Sequence, residues 1–235
     1  MWRNLILIAA IGAVIPRSQA QASLIDSFSA GDQAVGVTSG LVDIPAVSGP
    51  EIGGFRRGDL FNGGAGSASN FVAGPSYSGR LFWAMLAGSS GESAGFDVIW
   101  GGFGKVDLTD GGASSLLTLG DVSYTGSPAP TPLNVTFNMN DSSNFASTSV
   151  SIPGQTSGAT ISIPLSSFSG LDLTQISVIS LDVSSTINSF DGSTTFSFSD
   201  ISTTAAPTPE PSTFLLAVMG VFSIGWWQYK GSRTG

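Results

Sequence analysis

Residues 133–139, LNVTFNM, alternate without a fault. Leu133, Val135, Phe137 and Met139 share one side, and polar residues fill the other. A two-residue period sends alternate side chains to opposite faces of a strand, so this stretch is apolar on one face and wet on the other. Residues 194–203, TTFSFSDIST, repeat the pattern. Strict alternation there puts Phe196, Phe198 and Asp200 on one face, and Ser197, Ser199 and Ile201 on the other. Outward from these two stretches the chain shows short apolar runs broken by Gly, Pro, Asn, Asp and Ser, with no sustained helical period. SLIDSF (23–28), QAVGVT (33–38), EIGGFRRGDLF (51–61), RLFWAML (80–86), FDVIW (96–100) and SLLTLGDVSY (115–124) read as further strands. So do STSVSI (147–152), ATISIPL (159–165) and QISVISLDV (175–183). Eleven short strands with turns at Asp110-Gly111-Gly112, Pro153-Gly154 and Asp191-Gly192 predict an all-β, antiparallel, jelly-roll-like β-sandwich. The first strand, near Ile25, is expected beside the last, near Phe198, because pairing the termini covers open edges.

The sandwich is assigned to residues 23–204, and the flanks differ from it. MWRNLILIAAIGAVIPRSQAQAS opens with Arg3, continues through eleven apolar residues from Leu5 to Ile15, and offers Ala20 and Ala22 as small cleavage residues. That is the build of a Sec-type signal peptide, residues 1–22, whose helix is handled by the Sec translocon and cut after Ala22. At the other end a Pro/Thr linker, residues 205–211, leads into residues 212–229, which carry no charge. As a helix this segment is roughly 27 Å long, enough for one crossing of a thin bilayer. Trp226, Trp227 and Tyr229 stand at its end, where an aromatic belt meets the interface, and Lys230 and Arg233 stop the transfer in a basic cytoplasmic tail, residues 230–235. The central region is thereby expected outside the cell.

Pro209-Glu210-Pro211, the apolar segment and the basic end together resemble the PEP-CTERM sorting signal of exported bacterial proteins. The resemblance covers about the last 27 residues of the sequence. It implies an exosortase-type membrane enzyme as processing partner, a stage of membrane anchoring, and a final place at the cell surface or in extracellular matrix. The basic end departs from that family's tight Arg run, since Gly231 and Ser232 separate Lys230 from Arg233. LSSFSGLDLTQISVISLDVSS, residues 165–185, loosely resembles the closing part of carbohydrate-binding jelly rolls, which adds to the sandwich reading and transfers no binding residue.

Composition excludes several chemistries. Residues 23–206 hold four cations, Arg56, Arg57, Arg80 and Lys105, against fifteen acids, so nucleic acid is not an expected partner. The chain has no Cys and no His. Thiolate sites, disulfides and a Ser-His-Asp triad are therefore absent. No enzyme is expected, although a carboxylate pair acting on glycans needs neither residue and stays as an alternative. No cofactor is expected either. The acids leave structural calcium as the one candidate ion, with Asp26 and Asp200 across the terminal strands, or Asp107 and Asp110 around the Gly-rich bend, as ligands. The same Asp residues equally suit turn capping.

Ligand contacts are sought among the aromatic and cationic residues. Trp83 lies in a run apolar on both faces and belongs to the core. Trp100 is expected in the core too, but it ends a strand before Gly101-Gly102 and so is the better candidate of the two for stacking on a sugar at a rim. Arg56 and Arg57 must point to opposite faces of one strand. One is expected in a buried pair with an acid such as Asp59, and the other on a uronate or sulfate. NGGAGSASN, residues 62–70, reads as a surface loop. The expected role is a non-catalytic module associating with extracellular polysaccharide, with a purely structural surface protein as the other alternative.

Overall fold

A computed structural model describes residues 23–64, 67–86, 91–127, 130–187 and 192–206. The leader with Ala20 and Ala22, the Pro209-Glu210-Pro211 motif, residues 212–229, and Lys230 and Arg233 lie outside the described residues. Among the described residues no helix is long and apolar enough to cross a membrane.

Fourteen strands are described. In chain order they are β1 (Ser23–Asp26), β2 (Gln33–Val37), β3 (Gly40–Ser48), β4 (Phe55–Asn62), β5 (Ala68–Gly74), β6 (Arg80–Leu86) and β7 (Glu92–Gly101). There follow β8 (Leu116–Ser127), β9 (Leu133–Asn140), β10 (Phe145–Ile152), β11 (Thr156–Pro164), β12 (Val178–Ile187), β13 (Ser193–Phe198) and β14 (Asp200–Thr204). They form two antiparallel sheets. One has six strands in the order β10-β9-β12-β7-β4-β3. The other has eight, β1-β14-β8-β13-β6-β5-β2, with β11 also paired to β8. The fold is an antiparallel β-sandwich of jelly-roll type, and β1 does lie against the last strand, with Ser23 opposite Thr203.

Alternation builds the core. Leu133, Val135, Phe137 and Met139 of β9 are all buried, and their neighbours face outward. From the facing sheet come Phe71, Trp83 and Phe196, which meet Phe96 of β7 in the middle, and Phe198, which packs on Phe196. Phe71 stands edge-on to Phe96 at 5.3 Å between centroids, and Trp83 lies 5.9 Å from it. Trp83 is core, as its sequence predicts, and its Nε1 donates to Ser69 Oγ at 2.8 Å.

Two expectations are corrected. Residues 62–70 are not all loop: β5 begins at Ala68, and the polar composition hid a strand whose Ser69 and Phe71 point inward. Residues 194–203 are not one regular strand. Asp121 of β8 adopts a left-handed φ of 47°, and directly beside it the chain bends at Ser199, whose N–H donates to Gly120 O at 2.9 Å. Both strands roll by one residue at this point. Ile201, rather than Asp200, then joins Phe198 in the core at 0% exposure.

Candidate functional site

The six-stranded sheet turns one face away from the core. Arg57 and Asp59 of β4, Asp97 and Ile99 of β7, Asp182 of β12 and Asp43 of β3 share it, because each is out of phase with its buried neighbours. Register then does something the linear sequence hides. Asp43 lies opposite Asp59, Asp59 opposite Asp97, and Asp97 opposite Asp182. Four aspartates thus cross four adjacent strands in one row, at about 4.8 Å per strand. The row continues through Thr136 of β9 to Ser149 of β10, whose hydroxyls hydrogen-bond at 2.8 Å.

Like charges set side by side disfavour ionisation of one another. Burial, then the charges of Asp59 and Asp182, push Asp97 up to about 6, against the pull of the Asp59 N–H, which donates to Asp97 Oδ1 at 2.8 Å. Asp59 is also raised, first by burial and then by its hydrogen bond with Asp43 and that group's charge, while Arg57 opposes the shift. At the Asp182 end the Asn138 amide donates to Asp182 Oδ2 at 2.6 Å.

Arg57 is the cation of this face. Its guanidinium lies 5.4 Å from the centroid of the Phe55 ring, held by the ring's negative face. Beside it an open depression of about 460 Å³ is lined by Asp43, Pro45, Ala46, Arg57, Asp59 and Ile99, among others. Donor, acceptors and an apolar floor therefore meet within one shallow groove.

Arg56 faces the opposite way, as strand geometry requires, and is wholly buried. Its partner is Asp26 and not Asp59. An odd separation of three residues along β4 sends Asp59 to the outer face, whereas Asp26 arrives from β1 in the other sheet. Arg56 Nη1 donates to Asp26 Oδ2 at 2.6 Å. Trp100, directly opposite Arg56 on β7, donates Nε1–H to the same oxygen at 2.7 Å. Gln33 Oε1 accepts from Arg56 Nε at 2.7 Å, and Gln33 Nε2 donates to Pro45 O. The Phe28 N–H donates to Asp26 Oδ1 at 2.7 Å, which supports that residue's left-handed φ of 56°. Trp100 is core, and its candidacy for a rim falls: it has 0% exposure, with its one donor spent inside.

The remaining acids go separate ways. Asp26 is opposite Ile201, one residue away from Asp200, whose Oδ1 accepts from Ser199 Oγ at 2.6 Å. Asp107 Oδ1 accepts from the Thr109 N–H and hydroxyl at 2.8 and 2.6 Å, and its Oδ2 from Gly111 N at 3.0 Å. These bonds, the Thr109 hydroxyl foremost, hold its carboxyl below the usual range. Asp172 caps Thr174 in the same way. The two Asp-Leu-Thr turns touch through Leu108 N to Leu173 O, 2.9 Å. Asp110 is a turn residue with φ 49°. Among the described residues no three acids converge in a group that could hold a metal.

No protein-family profile and no curated protein matches this sequence. Solved structures of similar fold include the family 11 carbohydrate-binding module of the cellulosomal cellulase Lic26A-Cel5E of Clostridium thermocellum, at 13% identity over 82% of this chain and 99% of that one, TM-score 0.37. Others are the family 30 module of Cel9D-Cel44B from the same organism, at 16% identity over 55% and 76%, TM-score 0.35, and TmCBM61 with β-1,4-galactotriose, at 15% identity over 54% and 71%, TM-score 0.30. What this chain binds is to be read from its own residues.

Proposed function

We propose that this chain is a non-catalytic glycan-binding module of an exported surface protein, and that it binds neutral polysaccharide across the outer face of the six-stranded sheet. The groove at Arg57 carries the reading. Carboxylates accept from sugar hydroxyls, a guanidinium donates to them, and apolar side chains cover the apolar side of a pyranose ring. Arg57, Asp43 and Asp59 supply the polar contacts, and Pro45, Ala46 and Ile99 the apolar floor, on an open sheet surface that a long chain can cross. Four aligned aspartates around a single arginine repel uronates and sulfates, which turns the earlier polyanion expectation for Arg57 toward uncharged sugars. Export rests on the leader and the Pro-Glu-Pro tail read in the sequence. Intact mass of the protein from its own cells tests both cuts.

Affinity electrophoresis through gels holding dextran, a β-glucan, a galactan or alginate tests the binding. Retardation by a neutral polymer, lost in Arg57→Ala, is the expected result. Retardation by alginate alone, or binding indifferent to Arg57→Ala, overturns the proposal. One observation favours a second reading, glycoside hydrolysis. Asp97, raised to about 6 beside Asp59, whose carboxyl is raised too, has the environment of a general acid. Release of reducing sugar that disappears in Asp97→Asn would establish it.

A further inference from the structure

The two lateral sides of the sandwich are finished differently. On one side β3 ends the six-stranded sheet. It carries Pro45, a register break between Ile44 and Val47, and the charge of Asp43, and it packs against β2 of the other sheet. Proline, bulges and charge are the usual means by which an edge strand is kept from pairing with a foreign one. On the other side β10 ends the same sheet, and among the described residues no strand lies beyond it. Phe145–Ile152 reads FASTSVSI: no proline, no charge, and an unbroken register with β9. The uncharged run extends from Ser142 to Leu171, thirty residues in a chain with net charge −8.

We infer that β10 is a pairing edge for a second copy of this chain, the two β10 strands meeting antiparallel about a two-fold axis normal to the sheet. Three features select this occupant. The axis keeps inner face with inner face, so Ala146, Thr148 and Val150 continue the partly buried side. Ser147, Ser149 and Ser151 then lie opposite serines, in hydroxyl pairs like the one Ser149 already makes with Thr136. An acidic body tolerates a like body only where the contact is neutral. Pairing at β10 leaves the two Asp182 side chains five strand spacings apart, about 24 Å, well past the Debye length of about 8 Å at physiological salt. The product is a continuous twelve-stranded sheet whose two Arg57 grooves open on the same side. The pairing itself does not depend on the glycan reading. If that reading holds, the dimer binds one polymer at two points and gains avidity without any new contact.

The chain contains no cysteine, so a single introduced thiol reports its own surroundings without background. Full-length variants carrying Ser147→Cys, Thr148→Cys, Ser149→Cys, Val150→Cys or Ser151→Cys are oxidised mildly in mild detergent, with Leu41→Cys on β3 as the control. Directly opposed residues of antiparallel strands have Cα atoms about 4.5–5.5 Å apart, within disulfide reach. The expected result is a disulfide-linked dimer dominated by the one β10 position that faces itself, and its loss when two lysines are added at the other exposed serines of β10. Crosslinking no greater than that of Leu41→Cys at all five positions overturns the proposal. So does equal crosslinking at every position, which signals random collision or association through another segment. Either failure leaves the Arg57→Ala binding test unaffected.

Discussion

Asp26 and Asp97 are the same residue in two opposite settings. Asp26 is fully buried, yet its two oxygens accept from Arg56, Trp100 and the Phe28 N–H. Asp97 is half-buried, and its flanking residues in the row are Asp59 and Asp182. The first carboxylate is surrounded by donors drawn from both sheets, and it fixes how they pack. The second accepts from the Asp59 N–H, but the side chains beside it in the row are carboxylates, which offer it no donor and leave lone pairs facing solvent. A satisfied charge inside belongs to the fold. Aligned, uncompensated charges on an open face are maintained against their own repulsion, and a face of that kind is where a ligand finds unspent acceptors.

The sharpest way to break this comparison is to remove each carboxylate. Asp26→Ala leaves Arg56 buried without its counter-ion, and loss of one partner of such a pair costs about 3–5 kcal/mol. Denaturant unfolding should show a large drop in midpoint, whereas Asp97→Ala should leave the midpoint near that of the parent. Equal losses would mean that the row is structural after all. Next in size comes Trp100→Phe. It removes one ring of the indole together with the donor to Asp26 Oδ2, and the unmade buried hydrogen bond alone costs about 1–3 kcal/mol. Retardation by polysaccharide should be unchanged in that variant. A stable Trp100→Phe protein that no longer binds would return the tryptophan to the ligand surface.

The sequence was legible where one strand carries the information by itself. The faces of β9 and the opposed directions of Arg56 and Arg57 follow from alternation, and the core place of Trp83 from a run apolar on both faces. Partners were not legible, because they come from register between distant strands. Asp26 meets Arg56 across thirty residues and from the other sheet. The acid row needs four strands aligned, and β3, which contributes Asp43, was missed because Pro45 argues against a strand. A signal was present nonetheless. Val42-Asp43-Ile44, Phe96-Asp97-Val98 and Leu181-Asp182-Val183 each place an aspartate in mid-strand between apolar residues, where aspartate is disfavoured. The bend at Ser199 lies beside the left-handed Asp121, a pairing between strands that the sequence does not show; its one local trace is the three-residue step from Phe198 to Ile201.

Acid sharpens the comparison without mutation. Asp97 holds its proton up to about 6 when folded, against an ordinary 3.8. Between those values the folded chain binds more protons than the unfolded one, so this group's contribution falls as pH rises through the window and is most unfavourable above it. Asp141 works in the opposite sense. The Asp172, Asn144 and Ser143 N–H groups hold it far below the usual range, so its contribution is present above 3.8 and lost as pH falls below it. Stability should therefore peak above 3.8 and below about 6, lower than the usual pH 5–8. Asp97→Asn should flatten the decline toward neutral pH, by no more than about 1 kcal/mol because the group is half open to solvent. Melting temperature across pH 3–8, for parent and variant, reads both effects. An unchanged slope in Asp97→Asn would show that the row carries no strain.

The smallest effect is expected at Asp107, and it bears on whether any acid here serves a metal. Its oxygens already accept from Thr109 and Gly111, so the carboxylate is occupied in holding a turn. A cap at a partly exposed turn contributes little, and Asp107→Ala should shift stability by about 0.5 kcal/mol. Calcium should leave the melting temperature of the parent where chelator leaves it, since a cation would have to displace three hydrogen bonds to reach those oxygens. A calcium-dependent rise that vanishes in Asp107→Ala would reverse this assignment, because binding to the folded state alone stabilises it by mass action.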